Sequence, residues 1–218
     1  MSETGTGRPA MATWRRIDHR RIRPRSLFRR SDAVARFRID RRQIQGAHMT
    51  TRPDIATALD APESVLEEDE QRFVNQIRTH GWFRTEVFAE ADQPGFSFTT
   101  GLWVNHGFPE IIVFSLPARI VHDVLWDVYR MVAAGTPPPV GEVTASVYGN
   151  ANALLMPVAK AHYEAHLGWN RWFYGNDDFP CVQLLWPDRD GIFPGQPEAD
   201  DALNAAQPRL FGSGDDHH

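Results

Sequence analysis

Two carboxylates and a histidine have the side-chain types that acid–base catalysis uses. Glu110 opens the apolar run EIIVFSL, and Asp188 follows the apolar run CVQLLW. Apolar surroundings raise the pKa of a carboxyl group, which suits proton transfer near neutral pH. His106 lies close to Glu110 in the chain and is its candidate partner. If these side chains converge on one substrate position, they predict a small-molecule enzyme.

Both carboxylates also fit structural roles, which we favour. Glu110 can hold the turn NHGFP or pair with an arginine, since structural ion pairs also perturb carboxylates. Asp188 can accept hydrogen bonds from nearby backbone N–H groups after the Trp-Pro pair at Trp186 ends the strand. Phe193 can then fold back onto the sheet as an apolar plug. The functional alternative is that Trp186 and Phe193 line a cleft into which Asp188 projects.

Metal binding and thiol chemistry have weaker support. The segment HYEAH places His162 and His166 four residues apart, so on a helix both imidazoles lie on one face, as a divalent metal requires. The zinc-protease pattern is H-E-x-x-H, however, and Glu164 is displaced from the position that this pattern needs. We therefore favour a solvated helix face. No base is adjacent to Cys181 in the sequence, which favours a buried, unreactive thiol.

The segment GWNRWFYG gathers aromatic side chains around Arg171. Its aromatic members are Trp169, Trp172, Phe173 and Tyr174. Such a cluster can stack on a nucleobase or a flavin ring, which makes a flavin cofactor a third alternative. Aromatic clusters more often cover a hydrophobic core, and we favour that interpretation. The sequence has no phosphate-binding glycine loop, dinucleotide fingerprint or serine-hydrolase elbow, and it specifies no cofactor.

Two helices are predicted from caps and apolar periodicity. Ser64 followed by Glu67 has the spacing of a capping box, and Gly81 is placed to end that helix in a left-handed conformation. The second helix begins at Pro117 and carries an apolar stripe that includes Ile120. A third helix is predicted to open near Pro157.

The strands are predicted from β-branched and aromatic content between turn signals. Three consecutive antiparallel strands are expected in WFRTEVFAE, FSFTTGLWV and EIIVFSL, another strand in GEVTASVYG, and a short central strand in CVQLLW. The residues from about Pro197 are polar and are expected to be weakly ordered. These elements predict an α+β fold, with a mainly antiparallel sheet and two to three packed helices in a single domain.

Charge divides the chain into two parts. Residues 1–48 hold 13 arginines and 4 acidic residues, a net +9, and the remainder holds 10 basic and 24 acidic residues, a net −14, which together give −5. We expect a basic, disordered segment at 1–63, a domain at 64–211 and a disordered tail at 212–218, with Met49 as an alternative start. Nucleic-acid binding is not expected unless the basic segment provides it.

Two motifs resemble the DUF4262 family of bacterial proteins. One is T-x-G-L followed by Pro-Glu, and the other is Gln-x-x-Trp-Pro-Asp followed by Gly-x-Phe-Pro. The matching residues are Thr99, Thr100, Gly101, Leu102, Pro109, Glu110, Gln183, Trp186, Pro187, Asp188, Gly191, Phe193 and Pro194, with QPRL at 207–210 as a closing segment. Phe108 and Gly195 depart from the family pattern, which often has His and Trp at these positions. The resemblance implies no reaction.

The sequence thus predicts a binding or interaction module with an aromatic-lined cleft. The cleft is expected between the Thr99–Glu110 region and the Gln183–Pro194 segment, with ligand contacts from Thr100, Gly101, Gln183, Trp186, Asp188 and Phe193. The enzyme that uses Glu110, Asp188 and His106 is the alternative. The single cysteine allows no intrachain disulfide and favours a cytoplasmic location.

Overall fold

The fold is taken from a computed structural model of the chain, which describes residues 55–90, 93–149 and 151–212. The predictions for 1–48, for a start at Met49 and for the tail beyond residue 212 lie outside the described residues. Among the described residues, the first helical turn is at Ala58–Asp60, ahead of the expected domain start at residue 64. No helix in the described ranges has the length and apolar content that a membrane crossing needs.

The described residues form six strands and six helices. The strands are β1 (Phe83–Val87), β2 (Phe96–Thr100), β3 (Glu110–Phe114), β4 (Val143–Thr144), β5 (Ala153–Pro157) and β6 (Cys181–Leu185). The helices are α1 (Glu68–His80), α2 (Leu102–His106), α3 (Ala118–Ala133), α4 (Tyr163–His166), α5 (Gly168–Tyr174) and α6 (Asp201–Ala206). Short 3₁₀-helical turns occur at Ala58–Asp60, Glu63–Val65 and Lys160–His162.

All six strands form one sheet, in the order β1-β2-β3-β6-β5-β4. Four of its five strand pairs are antiparallel, which confirms the α+β fold with a mainly antiparallel sheet. β3 and β6 pair in parallel, with Glu110 opposite Cys181, so the sheet is mixed. A parallel pair needs a long crossover connection, and residues 115–180 provide it. β6 lies centrally, as its apolar sequence predicted.

Helices cover both faces of the sheet. Alternate residues of a strand point to opposite faces, so Ile111 and Val113 pack with α3, whereas Ile112 and Phe114 pack with α1 and α5. A smaller cluster beside the far end of β6 joins Phe193 to residues of β5 and β6. The core is therefore two layers divided by the sheet.

α1 is present, but it begins later than the sequence predicted. Ser64 lies in the preceding 3₁₀ turn, and the predicted capping box with Glu67 is wrong. Instead, the Glu67 N–H donates to the Glu70 carboxylate over 2.8 Å, because Glu67 has extended backbone angles at the helix entry. The predicted left-handed end at Gly81 is confirmed by its φ of 81°.

α3 follows Pro117, as predicted, but with a different buried face. Its buried side chains are Val121, Val124, Leu125, Val128 and Val132. Ile120 was predicted to join the apolar stripe, yet it is 44% exposed. The five valine and leucine positions already complete one helical face, so Ile120 projects away from it.

The predicted strand through FSFTTGLWV ends early. After Thr100 the chain turns at Gly101 (φ 109°) and forms α2. A side chain at Gly101 would bring its Cβ to 2.8 Å from the Gly81 carbonyl oxygen, so only glycine allows α1 and β2 to approach this closely. The left-handed turn and the close approach together replace the last part of the predicted strand with a helix.

The region from Gly141 to Leu167 was predicted poorly. In GEVTASVYG only Val143–Thr144 form a strand, and β5 (Ala153–Pro157) was missed. Pro157 closes β5 instead of opening a helix, which is possible because β4 pairs only with the first residues of β5. The helical turns follow at residues 160–166.

The C-terminal segment is more ordered than expected. Asp200 caps α6 by accepting from the Leu203 N–H, and Leu203, Gln207 and Leu210 are buried. The prediction of weak order from Pro197 is therefore wrong for the residues up to 212. The composition is polar, but Asp200 caps α6 and Gln207 forms two hydrogen bonds with the Trp186 backbone.

Candidate functional site

The Glu110 carboxylate is the centre of a buried network at the start of β3. Its Oε1 accepts from the Gly101 N–H at 2.8 Å and from the Trp103 N–H at 3.1 Å, and the Tyr174 hydroxyl also donates to it. Its Oε2 accepts from the Thr99 hydroxyl at 2.7 Å. The side chain therefore joins β2, α2, β3 and α5 through four donors.

The network extends to the next two polar side chains. The Thr99 hydroxyl accepts from the Ile111 N–H at 2.8 Å, which locks β2 against β3. Asn170 donates to the Thr99 carbonyl at 3.0 Å and accepts from the Thr100 hydroxyl. Thr99, Thr100, Glu110 and Asn170 are all fully buried. Each hydroxyl and amide therefore meets its hydrogen-bonding need inside the fold, as buried polar groups generally do.

Burial and hydrogen bonding shift the pKa of the Glu110 carboxyl group in opposite directions. Burial raises the pKa of its carboxyl group, whereas the hydrogen bonds from Tyr174, Thr99, Trp103 and Gly101 lower it. The net direction is upward, as the sequence interpretation expected. The carboxyl group is fully buried, however, so a substrate in solution does not reach it in this conformation.

His106 does not join this network. Its ring packs edge-on to Tyr129, with 5.3 Å between the ring centroids, and partial burial lowers its pKa. Nε2 of His106 is buried and has no hydrogen-bond partner among the described residues. The expected His106–Glu110 pair is therefore not formed, because the donors to Glu110 are Gly101, Trp103, Thr99 and Tyr174.

The second motif holds the C-terminal segment onto the sheet. Gln183 donates to the Pro208 carbonyl at 2.8 Å and accepts from the Leu210 N–H at 3.0 Å. Gln207 forms two bonds with the backbone of Trp186, at 3.0 and 2.8 Å. The Trp186 indole donates to the Phe114 carbonyl at 3.0 Å. These contacts explain why a Gln-x-x-Trp strand and a closing QPRL segment occur together.

Asp188 forms the turn that its structural interpretation predicted. Its Oδ1 accepts from the N–H groups of Asp190 at 2.9 Å and Ile192 at 2.8 Å. The Asp188 N–H also donates to the Ile192 carbonyl, and Gly191 has a φ of 86°. Phe193 is buried against β5 and β6 as an apolar plug. The carboxylate thus shapes the surface turn that places Phe193.

The two family-pattern departures also have structural reasons. Phe108 is buried in the core beside α3. Gly195 has a φ of 84°, and a Cβ there would lie 2.7 Å from Cδ of Arg209. The arginine stem occupies the space that a larger residue would need, so the tryptophan typical of the family would require a local shift.

Glu110 and Asp188 lie at opposite ends of the β3–β6 pair. Glu110 is opposite Cys181, the first residue of β6, whereas Asp188 follows its last residue, Leu185. At a strand rise of ~3.3 Å per residue, β6 alone separates the two ends by roughly 13 Å. Parallel pairing therefore separates Glu110 from Asp188, and the two carboxylates do not converge on one substrate position.

His162 and His166 lie next to each other, but they belong to no larger group of potential metal ligands among the described residues. The His162 and His166 ring centroids are 6.3 Å apart, and Nδ1 of His166 lies 3.0 Å from the His162 carbonyl oxygen. In the described parts of the chain, no three His, Cys, Asp or Glu side chains are grouped as a metal site would require. The pair itself supplies two ligands, where a structural zinc site takes four.

Cys181 and the aromatic cluster lie in the core. Burial, and then the nearby Glu110 charge, raise the pKa of the Cys181 thiol, so it is not activated as a nucleophile. Trp169 stacks on Phe73 with 4.7 Å between the rings. Arg171 forms an ion pair with Asp177 at 2.7 Å. The cluster covers the core, as the favoured interpretation held.

A groove that the sequence did not predict opens at the other end of β2. It has a volume of about 390 Å³ and lies between the end of β1, the start of β2 and the end of β3. Its lining residues are Glu86, Val87, Phe88, Ala89, Pro94, Gly95, Phe96, Ser97, Val113, Ser115, Leu116 and Pro117. Phe88 is 55% exposed, an unusual position for a large aromatic side chain. Only this apolar residue, near the end of the predicted strand WFRTEVFAE, could have indicated the groove.

The comparison with protein families agrees with the motifs in this structure. A family model described as a domain of unknown function, DUF4262, matches residues 76–200. No curated protein and no solved structure matches the chain. The matched residues contain the Glu110 network, the groove and the Asp188 turn, and they make up more than half of the chain. The protein therefore belongs to the DUF4262 family.

Proposed function

We propose that this protein is a binding module that accepts a peptide segment of a partner protein in the groove beside β1. The observation that carries the proposal is the exposed Phe88 at the rim of a groove with apolar walls. The motif residues Glu110, Gln183 and Trp186 form hydrogen bonds that hold the fold together. The groove, in contrast, leaves apolar surface open to a partner.

The shape and chemistry of the groove suit one large apolar side chain. Its volume of about 390 Å³ is in the range of ligand sites, which are typically about 300–1,000 Å³. Glu86 and Ser115 supply polar groups along its wall. Ser115 has a φ of 54°, the left-handed region that non-glycine residues adopt rarely. Such backbone strain is concentrated at functional sites, which supports a binding role here.

Charge favours a basic partner. The chain from residue 49 onward carries a net −14. A negative field attracts cationic segments and repels nucleic acid. We therefore propose a peptide in which a bulky apolar residue neighbours lysine or arginine. Residues 64–211 are the proposed binding domain. The single cysteine suits a reducing cytoplasm, and the resemblance to bacterial DUF4262 proteins suggests a bacterial source.

The test is a selection of random peptides displayed on phage against the immobilised full chain. Selected peptides should combine an aromatic or aliphatic residue with a neighbouring basic residue. Binding of one such peptide, followed by fluorescence anisotropy, should weaken about tenfold or more in Phe88→Ser, because ~1.4 kcal/mol corresponds to a tenfold change in Kd.

The matched control is Val65→Ser. Val65 is 64% exposed and lies in the 3₁₀ turn before α1, away from the groove lining. This variant should bind the peptide as the wild type does. Equal binding of the peptide by Phe88→Ser and the wild type, or selection of mainly acidic peptides, contradicts the proposal.

A further inference from the structure

The outer edge of β1 is unpaired among the described residues. β1 is the terminal strand and pairs with β2 on one side. Apart from the β1–β2 ladder, no backbone hydrogen bond between described residues involves positions 83–87. An edge strand presents outward N–H and C=O groups, which are a template for pairing with another strand.

The charges that flank Thr85 are opposite in sign. Arg84 and Glu86 lie on the same face of β1 and form an ion pair at 3.1 Å, with side chains 21% and 29% exposed. Arg84 also donates to the Ala118 carbonyl at 3.0 Å, which fixes its position. A strand with one positive and one negative residue placed symmetrically about its centre is complementary to an antiparallel copy of itself.

We infer that β1 pairs with β1 of a second copy of this chain, antiparallel, about a two-fold axis at Thr85. Arg84 then faces Glu86 of the partner subunit on both sides of the axis. Phe83 faces Val87 of the partner subunit. Residues directly opposite in such a pair have Cβ atoms about 4.5–5.5 Å apart, so these side chains are in contact.

The charge pattern also selects this register. Moving the axis by one residue places Arg84 opposite Arg84 or Glu86 opposite Glu86, and like charges directly opposite are unfavourable. The dimer does not depend on the proposed groove function. Phe88 lies beyond the five paired residues, so Phe88→Ser should lose peptide binding while it remains dimeric.

The test uses two charge-reversal variants of the full chain, examined by native mass spectrometry over a dilution series. The wild type is expected to be dimeric. Arg84→Glu and Glu86→Arg should each be monomeric, because each places like charges opposite each other. An equimolar mixture of the two variants should form the heterodimer, because every acidic side chain then faces a basic one.

The mixture distinguishes the interface from a folding defect. Each single variant loses the ion pair within its own strand, and only contact between copies can compensate for that loss in the mixture. Circular dichroism of each variant establishes that it folds. A monomeric wild type, single variants that dimerise as the wild type does, or a mixture without heterodimer overturns the inference.

Discussion

The two ends of β2 differ in their surroundings. Polar groups are buried and hydrogen-bonded at one end, and apolar side chains are exposed at the other. At the end formed by Thr99 and Thr100, hydroxyls, an amide and a carboxylate are buried and bonded to one another. At the other end, Phe96 lines a groove beside the exposed Phe88. One end of the strand is closed by hydrogen bonds, and the other leaves apolar surface open.

This contrast separates stability from binding within one strand. A buried carboxylate with four donors is costly to disturb, because loss of the acceptor leaves several buried donors unpaired. An exposed aromatic side chain contributes little to folding, so its presence is better explained by what it contacts. Substitutions at the closed end should therefore change unfolding, and substitutions at the open end should change binding.

The largest expected effect is at the closed end. Glu110→Ala removes the acceptor of four hydrogen bonds and creates a cavity. We expect a loss of about 3–5 kcal/mol in the free energy of unfolding, because four buried donors lose their acceptor and a cavity remains. Urea unfolding followed by circular dichroism measures this loss.

The control is Glu142→Ala, which removes an exposed carboxylate. Its free energy of unfolding should stay within about 0.5 kcal/mol of the wild type. A loss below about 1 kcal/mol in Glu110→Ala would mean that the network contributes little, and the distinction between the two ends of β2 would fail.

Asp188 gives an intermediate case, a carboxylate that holds a partly exposed turn. Asp188→Ala removes the acceptor of the Asp190 and Ile192 N–H groups, and we expect a loss of about 1–2 kcal/mol. Asp190→Ala is the neighbouring control and should cost less, because that side chain is exposed. Equal losses from the two variants in urea unfolding would show that the turn does not depend on Asp188.

The sequence was informative where the signal was local. The left-handed end of α1 at Gly81, the first three strands and the apolar plug at Phe193 follow from turn residues and periodicity. The Asp188 turn was predictable for the same reason, because its partners lie within four residues. Local hydrogen bonds leave a sequence signature that needs no knowledge of the fold.

The features that the sequence missed depend on long-range contacts. Asn170 reaches Thr99 across 71 positions, and Gln183 reaches Leu210 across 27. The parallel pairing of β3 with β6 separates Glu110 from Asp188, although both motifs had suggested one cleft. The groove gathers three strand ends whose side chains have no distinctive chemistry, so residue types alone did not indicate it.

A smaller effect is expected in how the free energy of unfolding depends on pH, through Glu110 at the closed end. Burial raises the pKa of Glu110 above its ordinary value of 4.5, so the folded protein binds this proton more tightly than the unfolded chain does. Protonated Glu110 therefore adds to the free energy of unfolding. This addition is fully present below the ordinary pKa and is lost as pH rises through the raised pKa.

The variant Glu110→Gln removes the titrating group and isolates this contribution. The stability of the wild type relative to Glu110→Gln should fall as pH rises above about 4.5, by at most about 1.4 kcal/mol per pH unit. Urea unfolding at a series of pH values measures the difference. A difference that grows with pH would mean that the four hydrogen bonds outweigh burial and hold the carboxylate ionised.

The smallest expected change in stability is at the open end. Phe88→Ser replaces a side chain that is 55% exposed, so little apolar area returns to water, and we expect a change within about 0.5 kcal/mol in urea unfolding. Peptide binding should nevertheless weaken. A large loss of stability would show that Phe88 belongs to the core of the β1–β2 hairpin. That result would contradict the proposal that the groove binds a partner.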